Sequence, residues 1–195
     1  MFRWILLLGV SILSTFALAS PTCDNETLAA LLNTGNQAYE SGDLAKAEAS
    51  WQTITQCPLS PEWPKAMYNL GLLKTKQADY AAAIKNFQAV LDSNPNDREP
   101  GGSLMETNRN YSYRSSLGIS ACYERMGNYR EALRYARLAK TRYRYYSWCG
   151  TCYQSAASAL NARIAFLTFQ VSKYYVLSIL LIGCAVLTRR KAHKD

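Results

Sequence analysis

Apolar positions recur at helical spacing over most of the chain, and they come in pairs of helices. Leu28, Leu31, Leu32, Gly35 and Ala38/Tyr39 form one stripe over residues 24–40, with Asp24 or Asn25 as its cap. Ser41-Gly42-Asp43 reads as a turn, and Leu44 to Thr55 as the second helix of the pair. Pro58, Pro61 and Pro64 make a linker, the last suited to a first helical turn. Helices follow over about 64–77 and 80–93, ending at Asn94-Pro95, and again over about 111–126 and 129–144. Residues 96–110, with Pro100-Gly101-Gly102, read as an inserted loop, and loops of that length are uncommon and often functional. Tyr153, Ala156, Ala157, Leu160, Ile164, Leu167 and Val171 then hold helical spacing, with neither Pro nor Gly before Gly183, so this helix is expected to run unbroken into the apolar segment that follows. The pattern predicts an all-α fold.

Three stretches repeat one another. Leu44-x-x-Ala47-x-x-x-Trp51 recurs as Tyr80-x-x-Ala83-x-x-x-Phe87, 36 residues on, and as Tyr129-x-x-Ala132-x-x-x-Ala136. Gly42 and Gly127 stand two residues before the first and third copies, and Ala78 before the second. One helix earlier come Thr34-Gly35 and Leu70-Gly71, with Ile119-Ser120 as a poorer third match. The small residue lets two helices approach and the large one fills the groove beside it. On these residues the chain resembles the tetratricopeptide repeat family, whose period is about 34 residues. The resemblance implies a solenoid of helical hairpins in a domain over 20–152, with repeats at about 28–61, 64–95 and 111–144 and the inserted loop between the last two. Residues 153–170 fit the capping helix that such a stack needs.

The ends of the chain carry a different signal. Arg3, an apolar run from Trp4 to Leu18, and Ala17-Leu18-Ala19 read as a signal peptide over residues 1–19, with an uncleaved anchor as the alternative. Near the other end, residues 171–188 read as a transmembrane helix. Its unbroken apolar part, Tyr174 to Leu187, is short, but Lys173 snorkels outward, Tyr174 and Tyr175 suit the interface, and a basic tail (189–195) follows. At 1.5 Å per residue the segment spans roughly 27 Å. The expected topology is single-pass, with the repeats outside the cytoplasm and the C-terminus inside it.

That compartment permits disulfides. Cys23 precedes the first helix and Cys57 follows the second, and in an antiparallel hairpin those ends are neighbours, so a Cys23–Cys57 bond is expected. Trp148-Cys149-Gly150-Thr151-Cys152 resembles the thioredoxin-type active site, but no strand precedes it. Cys149 and Cys152 are read as a structural pair or a redox pair, with Cys122 as another partner. No metal site and no cofactor is expected. The single histidine, His193, excludes His-dependent triads, and Pro100-Gly101-Gly102-Ser103 lacks the Lys-Ser/Thr that a phosphate loop requires.

The net charge of +8 is uneven. Residues 22–106 carry 6 basic and 11 acidic side chains, and residues 107–170 carry 10 basic and 2 acidic. Nucleic acid would require cytoplasmic exposure and is not expected; an acidic protein or peptide partner fits better. In tetratricopeptide arrays the first helix of each repeat lines the concave surface. The resemblance therefore implies a partner groove of Asn36, Tyr39, Tyr68, Asn69, Leu72, Lys76, Arg114, Leu117 and Arg125. Asn36, Asn69 and Arg114 match the pattern by which some such domains clamp a terminal carboxylate, whereas Leu32 and Gly118 stand where that pattern has Lys and Arg. The leading expectation is a non-enzymatic, membrane-displayed adaptor. The alternatives are a thiol–disulfide protein using Cys149 and Cys152, and a structural assembly subunit.

Overall fold

The computed structural model describes residues 23–93, 103–143 and 150–192. The expected signal peptide, residues 96–102 of the inserted loop and Cys149 lie outside the described residues. Among the described residues all regular structure is helical: α1 (Asn25–Ser41), α2 (Leu44–Thr55), α3 (Trp63–Lys76), α4 (Tyr80–Ser93), α5 (Ser103–Arg125), α6 (Tyr129–Tyr143) and α7 (Gly150–Ala192). The helices pack in chain order, each on the next, and α3 also touches α5.

Local chemistry sets the hairpins. The second helix of each pair starts at a side-chain cap: Asp43 accepts from the Lys46 N–H at 3.0 Å, Asp79 from Ala82 at 3.1 Å, and Asn128 from Glu131 at 3.3 Å. Just before each cap the chain enters the left-handed region, at Gly42 (φ 87°), Ala78 (φ 60°) and Gly127 (φ 75°). Glycine adopts that backbone freely; Ala78 does so under strain. Pro64 sits in the first turn of α3, where its missing N–H leaves no helical acceptor unmatched. Asp24 caps α1 by accepting from the Thr27 N–H at 2.8 Å.

The repeated small and large residues meet as their spacing requires. The Trp51 ring lies on Gly35 and the Phe87 ring on Gly71. Phe87 also covers Gly118, so one ring joins the second hairpin to the third. In the third hairpin the small residue is Ser120, whose hydroxyl donates to the Ala132 carbonyl at 2.8 Å. Ala132, Leu133 and Ala136 of α6 receive Leu167 of α7, which closes the stack. At the other end, Cys23 and Cys57 form a disulfide with their Cα atoms 5.7 Å apart, tying the start of α1 to the end of α2.

One boundary differs from the sequence expectation. The third pair starts at Ser103, not near residue 111. Leu104, Met105, Glu106 and Arg109 are good helix formers with no Pro or Gly among them, and lengthening an existing helix adds one hydrogen bond per residue fixed. The capping helix and the expected span are one helix, as the absence of Pro and Gly before Gly183 leads one to expect. α7 continues for 43 residues, about 65 Å, through Arg189, Arg190 and Lys191. Within it Ala157–Ile182 is long and apolar enough to cross a membrane, with mean hydropathy 1.5 and little of its surface covered. Tyr174 through Ile182 are all exposed.

Candidate functional site

The sequence-predicted groove residues lie on α1, α3 and α5, the first helices of the three pairs. Three contacts join these helices into a strip. Asn69 on α3 donates its side-chain amide to Asn36 Oδ1 on α1 at 2.9 Å. One turn along α1 and two along α3, Lys76 Nζ stands 4.8 Å over the ring of Tyr39, a second bridge between the same helices. Tyr68 on α3 meets Tyr111 on α5 edge to face, ring centroids 5.3 Å apart.

The rings of this strip are supported from behind. Tyr39 packs on Trp51 at 5.7 Å and Tyr68 on Phe87 at 5.6 Å, so the same aromatic residues that fill the core set the positions of the groove tyrosines. Leu72 is an exposed apolar residue between the two bridges. Each asparagine keeps polar capacity after the Asn36–Asn69 bond, because a side-chain amide has two N–H donors and a carbonyl with two lone pairs.

Arg114 sets the electrostatics of the strip. Burial pushes the phenols of Tyr68 and Tyr111 up from the ordinary tyrosine value, and the Arg114 guanidinium opposes that rise in both. The phenols stay neutral donors near neutral pH, beside an exposed cation. Lys65 is less free, with Nζ 3.5 Å from Glu62. Leu117 and Arg125 lie further along α5; Leu117 is half-buried and Arg125 exposed near the α5–α6 turn.

Tyr111 and Arg163 were not among the expected site residues. Tyr111 stands three residues before Arg114, on one helical face with it, and that spacing was available as a signal. Arg163 comes from α7 and pairs with Glu124 near the end of α5 at 2.6 Å. Only the packing of α7 brings those two together. Gly118, which replaces the clamp arginine of the resemblance, lies under Phe87 and is part of the hairpin contact.

The cysteines divide. The side chain of Cys152 lies outside the described residues, as does all of Cys149. Cys122 is buried with a free thiol 3.6 Å from the Thr75 hydroxyl; burial pushes its pKa up and the Thr75 hydrogen bond opposes this. A thiol so placed is a poor nucleophile. Among the described residues no three histidine, cysteine or acidic side chains converge as metal ligands do.

Compared with known families, residues 65–97 match the family described as tetratricopeptide repeat. The match begins in the first turn of α3 and covers the second hairpin. No curated protein matches the chain.

Proposed function

Since this chain is a tetratricopeptide-repeat protein, a fold that typically mediates protein–protein contacts, we propose that it is a non-catalytic adaptor. Its groove binds an acidic segment of a protein partner, and α7 holds the groove outside a membrane. The observation that carries this reading is the strip across α1, α3 and α5. It combines two side-chain amides, two half-buried phenols, an exposed leucine and the cations Lys76 and Arg114. An extended peptide offers backbone N–H and C=O groups to the amides, and the phenols donate to its carboxylates. Lys76 and Arg114 select negative charge, and exposed charge contacts of this kind weaken with salt. The wide basic excess of residues 107–170 acts in the same direction over a longer range.

The test uses the full chain in lipid nanodiscs and a panel of extended peptides of graded charge. Acidic peptides are expected to bind, to weaken as salt rises, and to lose at least tenfold in affinity with Tyr68→Ala combined with Arg114→Gln. Preference for basic peptides, or unchanged binding by that double variant, overturns the groove. Release of the chain from membranes by alkaline carbonate overturns the anchor and leaves the groove standing.

A further inference from the structure

The α5–α6 turn sits where α7 leaves the repeat array. α7 runs antiparallel to α6: Leu167 packs among Leu133, Ala136 and Ala132, and further along α7 Tyr174 stacks on Tyr129 at the start of α6, ring centroids 6.1 Å apart. Beyond that point the apolar residues of α7 from Val176 to Ile182 are all more than half exposed. The turn and the emerging helix enclose an open cleft of about 290 Å3. Gly127, Asn128 and Arg130 form one side, and Tyr174, Tyr175 and Ser178 the other.

The cleft is cationic, and neighbouring acids do not neutralise it. Residues 107–170 contain two acids, Glu124 and Glu131. Glu124 is held by Arg163 at 2.6 Å and Glu131 by Arg134 at 2.7 Å. Arg130, in the cleft, and Arg125, in the last turn of α5, are exposed and have no carboxylate at ion-pair distance among the described residues. Arg130 is oriented by α7 itself. It donates to the Tyr175 hydroxyl at 2.6 Å and lies 5.8 Å from that ring, which leaves other guanidinium N–H groups for a ligand. Lys173 stands 5.2 Å over Tyr174 on the same rim. Exposed Met126 lies in the turn between the two arginines.

We propose that this cleft holds the phosphate headgroup of an anionic phospholipid in the leaflet where α7 enters the bilayer. The proposal rests on α7 being a membrane span. A guanidinium matches two phosphate oxygens at once, and tyrosine hydroxyls at the headgroup level donate to the same oxygens. The apolar face of α7 from Val176 onward receives the acyl chains of that lipid, so headgroup and tail have adjoining surfaces. A lipid bound there bridges the third hairpin to the span. It fixes the tilt of the array, and hence the direction in which the groove faces. Free phosphate lacks the apolar half of this contact.

The experiment uses the full chain in vesicles of phosphatidylcholine with or without phosphatidylglycerol, followed by native mass spectrometry of lipid retained after detergent extraction. Wild type is expected to retain phosphatidylglycerol over phosphatidylcholine. Arg130→Gln and Arg125→Gln are each expected to lower that preference about fivefold, and Arg137→Gln, an exposed arginine elsewhere on α6, to leave it unchanged. Excess glycerol phosphate is expected not to displace the lipid. Equal retention of the two lipids by wild type, or an unchanged preference in the cleft variant Arg130→Gln, overturns the site. Displacement by glycerol phosphate overturns the lipid in favour of a soluble phosphate ester. If alkaline carbonate strips the chain from vesicles, the span itself fails and takes the site with it, a result distinct from the others.

Discussion

The ring of Phe87 fills the space that a side chain at Gly118 would need: a Cβ built there lies 2.7 Å from ring atom Cε2. Phe87 belongs to the second hairpin and Gly118 to the third, so this pair is a joint between repeats. Gly118→Ala is expected to destabilise the fold by about 1–3 kcal/mol, the range for overpacking a filled core. Chemical denaturation of the full chain in detergent measures this. Adding Phe87→Leu to Gly118→Ala should cost less than the two separate losses combined, because the ring that clashes has been removed. Strict additivity would contradict the joint.

Ala78 holds the turn that Gly42 and Gly127 make elsewhere, at φ 60°. A left-handed residue with a Cβ costs about 1–2 kcal/mol. Ala78→Gly is therefore expected to raise stability by about 1 kcal/mol, part of the gain being lost to the greater freedom of glycine in the unfolded chain. A lowered unfolding midpoint would show that the turn is not strained.

The Cys23–Cys57 bond closes a loop with a sequence separation of 34 residues. Chain entropy assigns such a loop about 4 kcal/mol. Cys57→Ser should lower stability by up to that amount, with faster amide hydrogen exchange concentrated in α1 and α2. Uniform loosening of α5 and α6 as well would show that the hairpins unfold as one unit.

Burial raises Tyr68 and Tyr111 above the ordinary value of 10.0, so the unfolded chain ionises these phenols first. Their contribution to stability is complete below about pH 10 and is lost as pH rises through their folded-state values. Arg114 opposes the rise in both. Arg114→Gln is expected to move the late-titrating tyrosines to still higher pH, read from tyrosinate ultraviolet absorbance, and Tyr68→Phe to remove one of them. An unchanged titration after Arg114→Gln would place that guanidinium away from the strip.

Most of the hairpin plan was legible because it is written in local terms. Gly42, Asp43, Gly127 and Asn128 act within a few residues of themselves, and Gly35 and Gly71 meet Trp51 and Phe87 of their own hairpins at a fixed spacing. The disulfide was legible for the same reason, since a two-helix hairpin must return its ends to one place. The start of α5 was misread because Pro100-Gly101-Gly102 marks a break but does not say how soon a helix resumes after it. The expected groove residues were read as helix faces, and faces do not specify pairs. Which of its residues would bond to one another depended on how closely α1, α3 and α5 approach.

The sequence by itself determined the helices, their turns and the pairing of Cys23 with Cys57, because each follows from backbone preferences and spacing inside one hairpin. Only the tertiary structure decided the relations between hairpins. It set Asn69 against Asn36, Tyr68 against Tyr111 and Phe87 over Gly118, and it laid α7 beside the α5–α6 turn so that Arg130 meets Tyr175. Those contacts join residues 31 to 45 positions apart, and no local preference encodes them. They arise when apolar stripes from separate hairpins are buried against one another and the polar side chains at their edges take the partners that remain within reach.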